Sequence, residues 1–181
     1  MSSSLSNIIF EFSEQLRSLR DHLEKDCEKL VLVESCTAGI VSGLLGQIPG
    51  ISQFLCGSMV IYRNDSKHQW LGIDPELLDD PNIGPVSAQV TEALAIAALE
   101  RTPEATIAAA ITGHLGPNSP ADLDGRVFTC IARRSDRKPA HAIEHSLVEL
   151  TPRDSEDWRA RQRRQLEAAR ILYSEINDTS R

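Results

Sequence analysis

The apolar run Leu30-Val31-Leu32-Val33 breaks at once into the small-residue stretch Glu34-Ser35-Cys36-Thr37-Ala38-Gly39. A periodic segment through Ile40, Val41, Leu44 and Leu45 follows and stops before Pro49-Gly50. The run reads as a buried strand, the small residues as a turn, and the three- and four-residue spacing as a helix. Such a strand-turn-helix unit places the hydroxyl of Ser35 where a ligand can meet the helix N-terminus.

The same alternation continues along the chain. Leu5, Ile8, Ile9, Phe12, Leu16, Leu19 and Leu23 form one stripe of a leading helix. A second strand is expected over Met59 to Tyr62, then a short helix carrying Lys67, Trp70 and Leu71 before Gly72. Asp74 to Pro85, with three prolines, reads as a loop with at most one helical turn. Ser87 suits the N-cap of a helix whose face is Val90, Leu94, Ala97 and Ala98. Ala105 to Ile111 reads as a strand that ends in Thr112-Gly113-His114-Leu115-Gly116-Pro117, so two glycine-bearing strand-end loops can meet in one crevice. Val127 to Ala132 and Ala142 to Leu150 read as further strands around the charged turn Arg133 to Pro139. Thr151-Pro152-Arg153-Asp154 carries the cap, proline and acid that open a final helix. The pattern predicts an α/β fold, a three-layer α/β/α sandwich around a mixed sheet. Residues 1–181 are expected to form one domain, with 1–28 as a leading helix packed on it.

Charge and cysteine usage exclude several functions. With 26 acidic against 19 basic residues and a net charge of -7, nucleic acid is not an expected partner. No run of eighteen apolar residues exists and the first residues lack a basic region with an apolar core, so no membrane association and a cytoplasmic location are expected. Cys27, Cys36, Cys56 and Cys130 contain no Cys-x-x-Cys pair. His141-Ala142-Ile143-Glu144-His145 fits a zinc motif that works only on a helix, and here it falls between a turn and a strand-like run. Neither metal nor cofactor is therefore expected. The cluster Arg159, Arg161, Arg163 and Arg164 reads as a solvated helix face, with phosphate or interface contacts by Arg159 and Arg163 as the alternative.

A serine hydroxyl attacks only if another group takes its proton, and Tyr62 with Lys67 supplies a relay for that task. Lys67 acts as a base only when partly neutral, which requires burial or a neighbouring cation. Backbone N–H groups near Cys36 and Thr37 would face an oxyanion or a phosphate. By position alone, Ser35 would serve as an N-cap, and Cys36 is the rival nucleophile. A short-chain dehydrogenase triad is excluded, because that needs Tyr and Lys four apart, whereas Tyr62 and Lys67 are five apart.

From Leu30 to the last helix the chain resembles the CinA C-terminal domain family, whose stand-alone members are nicotinamide-nucleotide amidases. The matching pieces are Glu34-Ser35-Cys36-Thr37 with Gly39, Pro49-Gly50 with Ser52, Tyr62, Asn64 and Lys67, Leu71-Gly72, Gly84 with Val86-Ser87, Thr112-Gly113 with Gly116-Pro117, and Gly125 with Val127. The family usually has glycine at Ala38 and an isoleucine-alanine pair at His114-Leu115, and this chain also departs from it at Leu123-Asp124. The resemblance implies hydrolysis of nicotinamide mononucleotide to nicotinic acid mononucleotide and ammonia. It implies Ser35, Tyr62 and Lys67 as the catalytic set. Cys36, Thr37, Gly39, Ser52, Asn64, Thr112, Gly113 and Gly116 would then line a site for a small-molecule nucleotide, in a homo-oligomer. With only residues 1–29 before the first strand, the molybdopterin-enzyme-like N-terminal domain of larger relatives is not expected here. The competing implication is a catalytically lapsed member that binds a nucleotide or a protein.

Overall fold

Among the described residues, five strands, β1 (Leu30–Glu34), β2 (Leu55–Val60), β3 (Ile107–Gly113), β4 (Arg126–Arg134) and β5 (His141–Glu149), form one sheet in the order β2-β1-β3-β4-β5. The computed structural model describes residues 5–134, 141–152 and 158–178. β1 runs parallel to β2 and β3, whereas β3, β4 and β5 pair antiparallel. The sheet is thus mixed. Among the described residues, six α-helices flank it: α1 (Leu5–Lys25), α2 (Ile40–Leu45), α3 (Asn64–Leu71), α4 (Pro75–Asp79), α5 (Ala88–Arg101) and α6 (Trp158–Asp178).

Period-two alternation divides the strand side chains between two cores. Leu30, Leu32, Ile107, Ala109 and Ile111 pack with Leu16, Leu19 and Leu23 of α1, Val41 and Leu45 of α2, and Leu172, Tyr173 and Ile176 of α6. Val31, Val33, Ala108 and Ala110 pack instead with Leu71 of α3, Leu78 of α4, and Val90, Leu94 and Ala98 of α5. Because β1 and β3 are buried on both faces, they are apolar throughout. The result is the three-layer α/β/α sandwich that the pattern predicts. Tyr173 ties α6 to α2 by donating from its hydroxyl to the Val41 carbonyl at 2.5 Å.

β2 differs from expectation. It spans Leu55–Val60, not Met59 to Tyr62, because parallel pairing with β1 runs from Leu30↔Leu55 to Glu34↔Val60. Cys56, Gly57 and Ser58 hide this edge strand from an apolar pattern, and Tyr62 lies beyond it. β3 starts at Ile107, since Ala105 is held in a turn by its N–H to the Thr102 carbonyl at 2.9 Å. Gly39 and Gly46 bound α2 as its N-cap and C-cap, so only Gly43 lies inside the helix. Most of the turn expected at Arg133 to Pro139, and Arg153 and Asp154 of the expected cap, lie outside the described residues. Among the described residues, no helix is long and apolar enough to cross a membrane.

Since β1, β2 and β3 are mutually parallel, their carboxyl ends open on one edge of the sheet. These ends and the segments that follow them carry Ser35, Tyr62 and Thr112 to Gly116, which is where open α/β sheets form a crevice.

Candidate active site

The last residue of β1 fixes the turn that carries Ser35. Glu34 is fully buried on the α2 side of the sheet. Its Oε2 accepts from Thr37 Oγ1 at 2.9 Å, Gly39 N at 2.9 Å and Val41 N at 3.0 Å. Its Oε1 accepts from Ser42 N at 2.8 Å and from Ser58 Oγ on β2 at 3.1 Å. The α2 N-cap, Gly39, sits at φ 94 and offers no side chain, so this carboxylate satisfies the first-turn N–H groups and complements the positive helix end. Glu34, not Ser35, does the capping. In the sequence Glu34 stands in the motif without a role of its own, although an acid ending a buried strand is itself an anomaly that calls for donors.

Ser35 continues the sheet, with its N–H on the Ile111 carbonyl at 3.2 Å, and is 7% exposed. Alternation after Glu34 turns its side chain toward the α3 and α5 layer. Ala38 takes a left-handed φ of 53, which costs an alanine about 1–2 kcal/mol and explains why glycine suits this place. On α3, Lys67 is 2% exposed, and its amine has no hydrogen bond or carboxylate partner among the described residues. Burial holds its pKa below the ordinary 10.5, opposed only by the neighbouring Cys36 thiol. Burial pushes that thiol up to about 12, which leaves it protonated and a poor nucleophile. A Cβ on Gly113 would lie 3.2 Å from Cys36 Sγ and 2.8 Å from Val127, so the end of β3 packs flush against the serine turn.

Tyr62 is 56% exposed at the rim and accepts from Arg161 Nη2 at 2.8 Å, while Arg161 Nη1 donates to the Gly116 carbonyl. Arg164, expected to be solvated, is buried: it donates to Asp124 at 2.9 Å and to the Thr151 carbonyl at 3.0 Å. Gln165 Nε2 donates to the Cys36 carbonyl at 3.1 Å. These three residues stand at i, i+3 and i+4 on α6, between the buried Ala160 and Ala168, so they lie on its inner face. That spacing was the available signal, obscured by the exposed Arg159 and Arg163 beside it.

The other expected ligand residues divide. Thr37 and Gly39 serve Glu34, and the Thr112 hydroxyl meets Thr91 of α5 at 2.8 Å. Gly113 and Gly116 are at the rim, and Asn64 opens α3 half-buried. Ser52 lies apart. It sits in the 3-10 turn Ile51–Gln53 before β2, at the amino edge, so the length of β2 separates it from the Ser35 edge of the same chain.

Among the described residues, His22, Asp26 and Glu28 are the one group of ligand-type side chains that could hold a metal. They lie at the amino edge, where Arg133 pairs with Glu28, and not at Ser35. Strand alternation in β5 puts residue 144 on the opposite face from its neighbour His145, which pairs with Glu92 at 3.0 Å.

Residues 13–155 match the CinA C-terminal domain. The chain belongs to that family. It is 35% identical over 133 residues to a CinA-like protein of Chlorobium phaeovibrioides, covering 72% of this chain and 30% of that one. With a CinA-like protein of Mycobacterium leprae it shares 43% identity over 89 residues, 49% of this chain and 20% of that one. The chain thus spans less than a third of the length of these curated relatives. Among solved structures, the competence/damage inducible protein CihA from Agrobacterium tumefaciens superposes with a TM-score of 0.81 at 26% identity, covering 100% of both chains. A competence or damage-inducible protein from Enterobacter asburiae gives 0.78 at 24% identity, covering 93% of this chain and 97% of that one, and speaks to the fold alone.

Replacing Glu34 by Gln turns one acceptor oxygen into a donor that faces N–H or O–H groups. We expect Glu34→Gln to lose about 2–4 kcal/mol in urea denaturation. A loss under about 0.5 kcal/mol would contradict the capping role.

Proposed function

We propose that this member of the CinA C-terminal domain family is a nicotinamide-nucleotide amidase with Ser35 as nucleophile and Lys67 as base. The observation that carries the reading is a buried lysine, without an acidic partner among the described residues, beside the Ser35-Cys36 turn. A neutral amine there takes the Ser35 proton as Oγ attacks the carboxamide carbon. The tetrahedral intermediate collapses to an ester on Ser35, and its nitrogen leaves as ammonia after receiving the proton. Water, deprotonated by the same amine, then cleaves the ester, giving nicotinic acid mononucleotide and free Ser35.

Tyr62 fits the role of a proton relay. Arg161 can only donate to the phenol oxygen, so the phenol keeps its own hydrogen for the reacting groups. The Cys36 and Thr37 N–H groups are the proposed oxyanion donors, and a remote phosphate would position the amide. The acidic net charge of -7 suits a small-molecule substrate better than a nucleic acid.

Ammonia release from nicotinamide mononucleotide by the purified protein is the first test. Folded Ser35→Ala should lose roughly 10³-fold or more, whereas Cys36→Ala should keep most activity. Activity that survives in Ser35→Ala would move the nucleophile elsewhere, and a folded wild type that releases no ammonia would favour the binding-only alternative.

Only neutral Lys67 accepts a proton, so the rate should climb as pH rises through its lowered pKa and level off above it, with the midpoint below the ordinary 10.5. Lys67→Arg should be nearly inactive, because a guanidinium stays protonated. A rate that falls with rising pH over that range, or an active Lys67→Arg, would remove Lys67 from the role of base.

A further inference from the structure

His114 has no role in the chemistry above, yet the backbone aims it at the same crevice. Gly113 packs against Cys36 and Val127, and Leu115 is buried in the α1, α2 and α6 core, so both flanking residues face that layer. The ladder continues through the His114 N–H to the Arg126 carbonyl at 2.8 Å. His114 therefore projects to the opposite layer, as does Thr112, whose hydroxyl meets Thr91 of α5. Ser35 and Lys67 face that layer too.

The register gives a scale. Glu34 pairs with Ile111, which puts Ser35 beside Thr112, one strand over and two residues short of His114. The two Cα atoms are then roughly 8 Å apart. That is longer than the span from the carboxamide carbon to the anomeric carbon across the meta-substituted pyridine ring, so an amide held at Ser35 brings the ribose beyond that carbon, and not the ring, up to the imidazole. His114 is half-buried, and neither ring nitrogen has a hydrogen-bond partner among the described residues. Burial lowers its pKa against the opposing pull of Asp122 and Asp124. A neutral imidazole offers one donor and one acceptor, which matches a hydroxyl.

Resting on the amidase reading, we propose that His114 is a specificity-determining residue whose ring hydrogen-bonds a ribose hydroxyl of the substrate. His114→Ala raises KM for nicotinamide mononucleotide by about 2- to 12-fold, the worth of one hydrogen bond, and leaves kcat within about threefold. His114→Gln, which keeps a donor and an acceptor, restores most of the loss. The 2′,3′-dideoxy mononucleotide tests the contact without any variant. Wild type should show the same KM penalty on it, and His114→Ala should add no further penalty. An unchanged KM in His114→Ala, a penalty that is equal on both substrates, or a wild type indifferent to the missing hydroxyls overturns the assignment while leaving the amidase intact. A wild type inactive on nicotinamide mononucleotide overturns the amidase reading itself, and this inference with it.

Discussion

One carboxylate organises this molecule. Glu34 ends β1 inside the protein and draws five donors onto itself, from the turn, from the first residues of α2 and from β2. A buried acid without donors would be untenable, and a six-residue helix without a cap would fray, so each requirement meets the other. The consequence for chemistry is indirect. With the helix end satisfied from below, the hydroxyl of Ser35 has no capping duty and its backbone can stay in the sheet.

A second set of contacts closes the rim from the other end of the chain. Arg161, Arg164 and Gln165 on α6 reach the Gly116 carbonyl and Tyr62, the Asp124 loop, and the Cys36 carbonyl. Gly125 leaves room for this row, since its backbone is left-handed at φ 90 and a Cβ there would sit 3.0 Å from Arg164. Segments far apart in sequence thus share one helix face, and the crevice depends on α6 as much as on the strands.

The fold was legible where burial imposes periodicity. β1 and β3 are apolar because both faces are covered, and Ser87 was a readable cap because it serves its own helix, accepting from Val90 N. β2 was misplaced because an edge strand of small residues carries little apolar signal. In the site, Ser35 and Lys67 were readable as types, but what surrounds them was not. The Glu34 donors are scattered from Thr37 to Ser58, and Arg164 looked solvated because charge alone does not tell which side of a helix is covered. Ser52 follows Pro49-Gly50 closely in sequence, yet parallel strands send it to the opposite edge, a separation that no local motif encodes.

The proposed chemistry requires Lys67 to be a buried amine that gives up its proton readily. The most direct test is an NMR titration of the lysine side chains, with the Lys67 signal assigned by comparison with a Lys67→Met protein. The expected result is a Lys67 midpoint below the ordinary lysine value of 10.5. A Lys67 midpoint at or above 10.5 in the folded protein would mean a permanently charged side chain, and would contradict its role as the base for Ser35.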